Sequence, residues 1–380
     1  MHAASGNLAS RVARPGGRPS LLLDFVRGGS LSRAVVRGDA TIGFARALAA
    51  YDTGPDGALT LFGAGVARVG PRGFLIEGAA TNAALHASDA TQAAWEKSGL
   101  AAAKDATGPD GVANGASTLT ATDANGTALQ PVTLGSAART FSVYMRRKAG
   151  IGDVGITDNN GTDWTATAPT PAWQRFTITR TQANPVVGIR LATQGDAVEM
   201  WGAQIEAGGF ATSPVPTTTV PVTRPVDMAT ITGLSTARWF DAAQGTFLFE
   251  IDTLPIAADA NGSTNRFLID LWNGSDNTHQ NFVSTELQFV TSGSLTRIGP
   301  YTAVTAPKMA YAYATDNAAL HNNGALVGSP LTSLLVPPGL ITAYLGLRGT
   351  DNLRVISTYL KRLVYYPRRL SNDRLQAFTQ

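Results

Sequence analysis

Apolar and polar residues alternate along this chain in short stretches separated by turn residues. In TFSVYMRRK (140–148), Phe141, Val143 and Met145 fall on one face and Ser142, Tyr144 and Arg146 on the other. In WQRFTITRT (173–181), Trp173, Arg175, Thr177 and Thr179 alternate with Gln174, Phe176 and Ile178. A period of two marks a half-buried strand, because successive side chains point to opposite faces. PRGFLIEG, STLTATD, VVGIRLAT and AVEMWGAQIE extend the pattern up to residue 224. TFLFEIDTL, NRFLIDLWNG, ELQFVTSG, KMAYAYATDN, AYLGLRG and TYLKRLVYYP continue it from 228 to 380. DNAALHNNGALVGS predicts a hairpin that turns at Asn323-Gly324. Only RRLSNDRLQAFT (368–379) reads as a helix, with Ser371 at the N-cap position and Leu375 and Phe378 on one face.

The predicted fold class is all-β: an N-terminal extended anchoring arm followed by two β-sandwich (jelly-roll) domains. The arm is residues 1–73, where Gly-rich text carries short strand-like pieces with little core of their own. The first sandwich is 74–224 and the second 228–380. Between them, SPVPTTTVPVTRPVD (213–227) is rich in Pro and Thr and suits an extended, stiff connection. Composition agrees: 40 Gly and 20 Pro punctuate 380 residues, and only 15% are charged. That mix disfavours coiled coils, while an apolar content of 44% can fill more than one core.

Charge is unevenly placed. Arg11, Arg14, Arg18, Arg27, Arg33, Arg37 and Arg46 face only Asp24 and Asp39 in the first 50 residues. Such a leader either docks on an acidic surface or is simply solvated. Nucleic acid is not expected, since no aromatic residues interleave the arginines as a stacking platform. No apolar run approaches the ~18 residues that cross a bilayer. The N-terminus also lacks the apolar core of a secretory signal.

The sequence offers little to an enzyme. With no Cys there is no disulfide scaffold, thiolate zinc site or thiol nucleophile. His2, His86, His279 and His321 are scattered, and no nucleophile elbow, phosphate loop or dinucleotide fingerprint occurs. Glu250 and Asp252 have the spacing of a carboxylate pair on one strand face, as glycosidases require; solvated charges are the plainer reading. Two tryptophans sit among loop amides and carboxylates: Trp164 beside Asp158, Asn159, Asn160 and Asp163, and Trp272 beside Asn273, Asp276, Asn277 and His279. An aromatic face plus hydrogen-bonding groups is what sugar recognition needs, although a loop Trp can also just cover an apolar edge. Trp95, Trp173, Trp201 and Trp239 read as packing residues. No cofactor is expected. The Asp/Asn loops hold hard oxygen ligands for a structural calcium, or are ordinary turns.

Several phrases resemble tailed-phage fibre and spike proteins: LLLDF (21–25), FARALAAYDTGPDGALT (44–60), PRGFLIEGAATN (71–82) and SDATQAAWEK (88–97). AVEMWGAQIEAGGFATSPVPT…VTRPVD (197–227) is similar to the phrase that closes a galactose-binding-like jelly roll in that group, with Pro214 in place of the usual Tyr. The last 150 residues resemble concanavalin A-like lectin or laminin-G-like sandwiches through GTFLFEID, HNNGALVG and YLKRLVYYPRRLSNDRLQAF. A narrower likeness is to head spikes of α-proteobacterial gene transfer agents. The resemblance implies a virion structural protein, made in the host cytoplasm and placed on the particle surface. The arm with its arginines would fix it to capsid or tail proteins, beside further copies or a partner spike. The sandwiches would bind host surface polysaccharide without cleaving it. An adaptor whose sandwiches bind other particle proteins, and a polysaccharide depolymerase, are the alternatives.

Overall fold

A computed structural model describes residues 18–28, 41–54, 58–253, 255, 257–275, 277–282, 286–291, 294–300, 307–330, 332, 339–349, 351 and 353–380. Their architecture is all-β, built as two sandwiches. In the first, the strands Gln174–Gln182, Ala137–Ala149, Ala197–Ala207, Ala116–Ala121 and Leu100–Ala106 form one sheet in that order. Thr165–Thr167, Val154–Thr157, Val186–Leu191, Gly126–Pro131 and Glu96–Ser98 form the other. Phe141, Val143 and Met145 point between the sheets and meet Ile156, Ile189, Met200 and Trp95, as the alternation requires.

The second sandwich does not begin at residue 228. Its strand Thr358–Tyr366 pairs on one side with Gln244–Ile251. On the other side it pairs with both Leu21–Asp24 and Gly73–Ile76. Thr41–Ala45 lies at the edge of the opposite sheet, against Met228–Thr232. Leu21, Leu23, Phe25, Val69, Phe74 and Ile76 are buried in the same core as Phe247, Phe249, Leu363 and Tyr365. The boundary expected at residue 73 is therefore corrected: the described part of the segment 1–73 supplies strands to the C-terminal sandwich. Its few apolar residues cannot bury themselves against each other, so they complete sheets made elsewhere in the chain.

The 213–227 stretch is likewise not a free connection. Val222–Arg224 pairs with Ala80–Asn82, and Val215, Arg224 and Asp227 are buried. Asn82 uses all four of its side-chain hydrogen-bonding positions. It donates to the carbonyls of Ala203 and Val215 and accepts from the amides of Ala84 and Ile205. Behind it runs a buried ion network. Asp227 accepts from Arg46 at 3.0 Å, from Arg68, and from the amide of Glu77 at 2.8 Å. Glu77 is paired with Arg68 at 2.7 Å and Arg224 at 3.5 Å. Arg68 also donates to Ser213 Oγ at 2.7 Å. Arg46, counted in the basic leader, is thus a buried structural cation.

The tight turn at Asn323-Gly324 forms as expected, with φ of 46° and 82°, a region that Asn and Gly tolerate. The terminal helix is Asn372–Thr379, and Leu375 and Phe378 pack against Leu248 and Tyr366. Ser371 precedes it in extended conformation, but its hydroxyl makes no capping bond.

Candidate functional site

The Trp164 loop is largely bonded within itself, except at Asp158, whose buried oxygens have an ion-pair partner but no hydrogen bond. Asn159 accepts from Thr157 Oγ1 and from the Asp163 amide, and donates to Asp163 at 3.0 Å. Arg180 reaches both Asp158, at 2.9 Å, and Asp163, at 3.2 Å. Asp158 is fully buried; desolvation raises its pKa against the pull of Arg180. Asn160 adopts φ of 61° and its amide donates to the Val186 carbonyl. The half-buried Trp164 ring carries Arg190 at 5.0 Å from its centroid and lies close to Gly155 and Gly161. The expected residues are therefore together, but a guanidinium occupies the carboxylates and another covers the aromatic face.

Trp272 belongs to the other sandwich. It ends the strand Arg266–Trp272 and packs against Tyr344, with ring centroids 6.3 Å apart. Asn273 closes a turn by accepting from Ser275. Asp276 lies outside the described residues, and of His279 only the backbone is described, paired with Asp270 and Val290. Among the described residues, no three acidic or imidazole groups converge as a metal site. Arg11, Arg14, Arg33 and Arg37 lie outside the described residues; Arg18 is exposed, and Arg27 lies 3.9 Å from Asp24. The Glu250/Asp252 pair is divided. Glu250 binds Arg362 at 2.8 Å, and Asp252 binds Arg72 at 2.7 Å.

A different site emerges where the sandwiches meet. A cleft of about 390 Å³ is lined by both sandwiches and by the hairpin Ala50–Thr53/Leu59–Phe62. Strand alternation in this hairpin sends neighbouring side chains to different bodies. Tyr51 packs edge-on against Trp201 at 5.2 Å and bonds Asp110, on the first sandwich. Asp52 faces the second sandwich, where its Oδ1 accepts from Tyr359 Oη and from the Thr53 amide. Trp201 is buried as expected, but outside the sandwich core: it lies with Tyr51, Tyr144 and Trp173 on the outer sheet face, under the hairpin.

The cleft walls are aromatic rings carrying guanidinium groups. Arg72 lies 4.1 Å from the centroid of the Tyr359 ring, and Arg175 lies 5.4 Å from that of Tyr144. Arg175 is fixed by donating to the Thr212 carbonyl and to Ser142 Oγ. The lining also holds the hydroxyls of Thr53, Thr253, Ser357 and Thr358.

Two cleft carboxyls have been pushed in opposite directions. Burial raises Glu77, but Arg224, Arg68 and Ser213 outweigh it and hold the pKa at about 2. Burial raises Asp52 to about 6, with Glu77 adding to the rise; Tyr359, Arg68 and the Thr53 amide oppose it. Asp52 Oδ2 is buried without a hydrogen-bond partner. Sequence reasoning missed this site because its parts lie far apart in the chain. The available signal was charge inside apolar strands: Arg68, Glu77, Arg224 and Asp227 all interrupt strand-like text, and each is buried.

No family model matches the chain, and no curated protein matches it. Solved structures resemble parts of it. The CBM40 of the Ruminococcus gnavus IT-sialidase, bound to alpha2,3 sialyllactose, is 17% identical over 37% of this chain and 83% of its own, with a TM-score of 0.31. A Trypanosoma rangeli sialidase in complex with the inhibitor DANA is 12% identical over 40% of this chain and 26% of its own, with a TM-score of 0.32. A receptor binding domain is 14% identical over 41% of this chain and 40% of its own, with a TM-score of 0.31. These likenesses reach no further than the all-β architecture.

Proposed function

We propose that this protein is a carbohydrate-binding attachment protein that holds a host-surface saccharide in the cleft between its sandwiches and does not cleave it. The observation that carries this reading is the cleft itself. Its volume of about 390 Å³ lies in the range of small-ligand sites, roughly 300–1,000 Å³. It joins ring surfaces to hydroxyls, fixed guanidinium donors and one carboxylate oxygen that lacks a partner. A polyhydroxylated ligand offers C–H faces and hydroxyls to match. Binding without cleavage fits the carboxyls: Glu77 is sealed by two arginines and Ser213, which leaves Asp52 without a free carboxylate beside it for the two-group chemistry of a glycosidase.

Placement on a phage or phage-like particle rests on the sequence phrases around 21–25, 44–60, 71–97 and 197–227. The structure gives those phrases a physical role. Arg46, Glu77, Asn82, Arg224 and Asp227 are the residues that lock the joint. A joint holding two sandwiches at a fixed angle would suit a spike.

The test is a glycan array and a host-cell binding assay on the full chain, beside Arg175→Ala and Tyr144→Ala. Selective binding that both substitutions weaken supports the reading. Binding to purified particle proteins but to no glycan or cell would replace it with the adaptor, and release of oligosaccharide products would replace it with a depolymerase.

A further inference from the structure

The hairpin residue Asp52 has the attributes of a ligand-facing group rather than a structural one. It is 5% exposed, yet it lines the cleft, and only one of its two oxygens is bonded. The two carboxylates of the ion network behind the cleft differ from it: Glu77 and Asp227 each use both oxygens on arginines, hydroxyls or amides. An unpaired buried oxygen costs free energy unless something else completes it.

We propose that Asp52 is the specificity-determining residue of the cleft, its Oδ2 accepting a hydroxyl hydrogen from the bound saccharide, so that capture is released on acidification. This rests on the glycan reading of the cleft. The ionised carboxylate makes a charge-assisted bond to a hydroxyl. Once protonated, on the oxygen that carries no other bond, Oδ2 becomes an O–H donor and the charge that strengthened the contact is gone. The groups that face it are Tyr144 from the first sandwich and, from the second, Tyr359 together with Arg68, Arg72 and Glu77 on or beside the strands Arg68–Gly70 and Gly73–Ile76. Arg68, Arg72 and both tyrosines keep their charge state between pH 5 and 7.5, and Glu77 stays ionised throughout. With Asp52 titrating at about 6, saccharide affinity falls about tenfold from pH 7.5 to pH 5.

The experiment is saturation-transfer NMR and calorimetry on the full chain. The probes are methyl glycosides of galactose, glucose, mannose, rhamnose and N-acetylglucosamine, from pH 4.5 to 8. Asp52→Asn keeps an oxygen for Tyr359 and Thr53; it is expected to bind about tenfold more weakly and with a flat pH profile. Tyr359→Phe removes a bond that favours the ionised form, so its binding midpoint moves to higher pH. A purely structural role would leave that midpoint in place. Glu206, buried behind Thr212 and also raised by burial, is the competing titrant, and Asp52→Asn separates the two. If the wild type binds a glycoside and Asp52→Asn keeps both affinity and pH profile, Asp52 is not the recognising group, although the cleft reading stands. If the wild type binds no probe, the cleft reading fails and takes this assignment with it.

Discussion

Asp52 and Tyr359 lie 307 residues apart in sequence and share a hydrogen bond at the cleft. The bond ties a hairpin from the N-terminal segment to the penultimate element of the chain. The neighbouring Tyr51 at the same time reaches Trp201 on the first sandwich, so the hairpin is held by both bodies. The site is therefore a product of the joint between the sandwiches.

That location has a cost. A carboxyl that titrates at about 6 instead of 3.8 is held against its ordinary tendency to ionise. Between these two pH values the folded protein retains a proton that the unfolded chain releases. Stability therefore declines as pH rises through the window and is flat above it, for a loss of about 3 kcal/mol. Asp52→Asn should remove that limb. Its melting temperature at pH 7 should rise by several degrees over the wild type, with little difference at pH 3.5. Calorimetry at the two pH values checks this, and equal melting temperatures at pH 7 would count against a strained carboxylate.

Glu77 has the opposite sign. Its pKa is held at about 2, below the ordinary 4.5. The stability this contributes, about 3 kcal/mol, is present above pH 4.5 and lost as pH falls towards 2. Removing the charge also takes the paired carboxylate from buried Arg224 and leaves buried Arg68 with Asp227 alone. Glu77→Gln should cost about 3–5 kcal/mol at pH 7, measured by urea unfolding, and should leave a shallower acid limb than the wild type.

The strands were legible because their alternation is local. Phe141, Val143 and Met145 announce their face from sequence alone, and they occupy it. What was not legible was which sheet a short strand would join. Leu21–Asp24 and Gly73–Ile76 carry no mark of their partner, because antiparallel pairing to Thr358–Tyr366 spans almost the whole chain. The same holds for the site. Trp164 and its neighbours read as a binding loop since their amides and carboxylates are close in sequence, but the sequence did not show that Arg180 and Arg190 would occupy them. Asp52 stands two residues before Gly54-Pro55, and nothing in the neighbouring text sets it apart.

Trp201 should behave as a clamp for the hairpin. It touches Tyr51 and Tyr144 edge-on, outside the main core of its sandwich. Truncating a buried Trp costs about 3–5 kcal/mol. Trp201→Ala should therefore release the hairpin before the sandwich unfolds. Limited proteolysis is expected to cut first near 50–62, while Trp95 fluorescence keeps its native transition. Cleavage elsewhere, with the hairpin protected, would show that Tyr51 is held by other contacts.

Trp164 and Tyr144 discriminate between the loop and the cleft as the place of recognition. Trp164 is half-buried beneath Arg190, so Trp164→Ala should lower stability by about 1 kcal/mol and leave saccharide binding unchanged. Tyr144→Ala should weaken binding at least as much as stability. If Trp164→Ala abolishes binding in a folded protein, Arg190 moves aside for ligand and the loop is the site.

The last prediction concerns what counts as a folding unit. Residues 228–380 would be a complete sandwich if the boundary followed the composition of the chain. They lack Leu21–Asp24, Arg68–Gly70 and Gly73–Ile76 from one sheet and Thr41–Ala45 from the other. Without those strands, one side of Thr358–Tyr366 and one side of Met228–Thr232 are left as open edges, which invite aggregation. Six core side chains are missing as well: Leu21, Leu23, Phe25, Val69, Phe74 and Ile76. At about 1.5–3 kcal/mol for each fully buried side chain, their sum rivals the ~5–15 kcal/mol that holds a whole domain folded. The fragment 228–380 should therefore be insoluble or show no cooperative melting. The fragment 79–224 keeps both of its sheets and its own core, and should melt cooperatively with a β-type circular dichroism spectrum. Co-expression with residues 18–76 should restore solubility to 228–380, because those strands re-form the missing edges. A soluble, cooperatively melting 228–380 fragment would mean that the N-terminal strands are accessories laid on a finished sandwich.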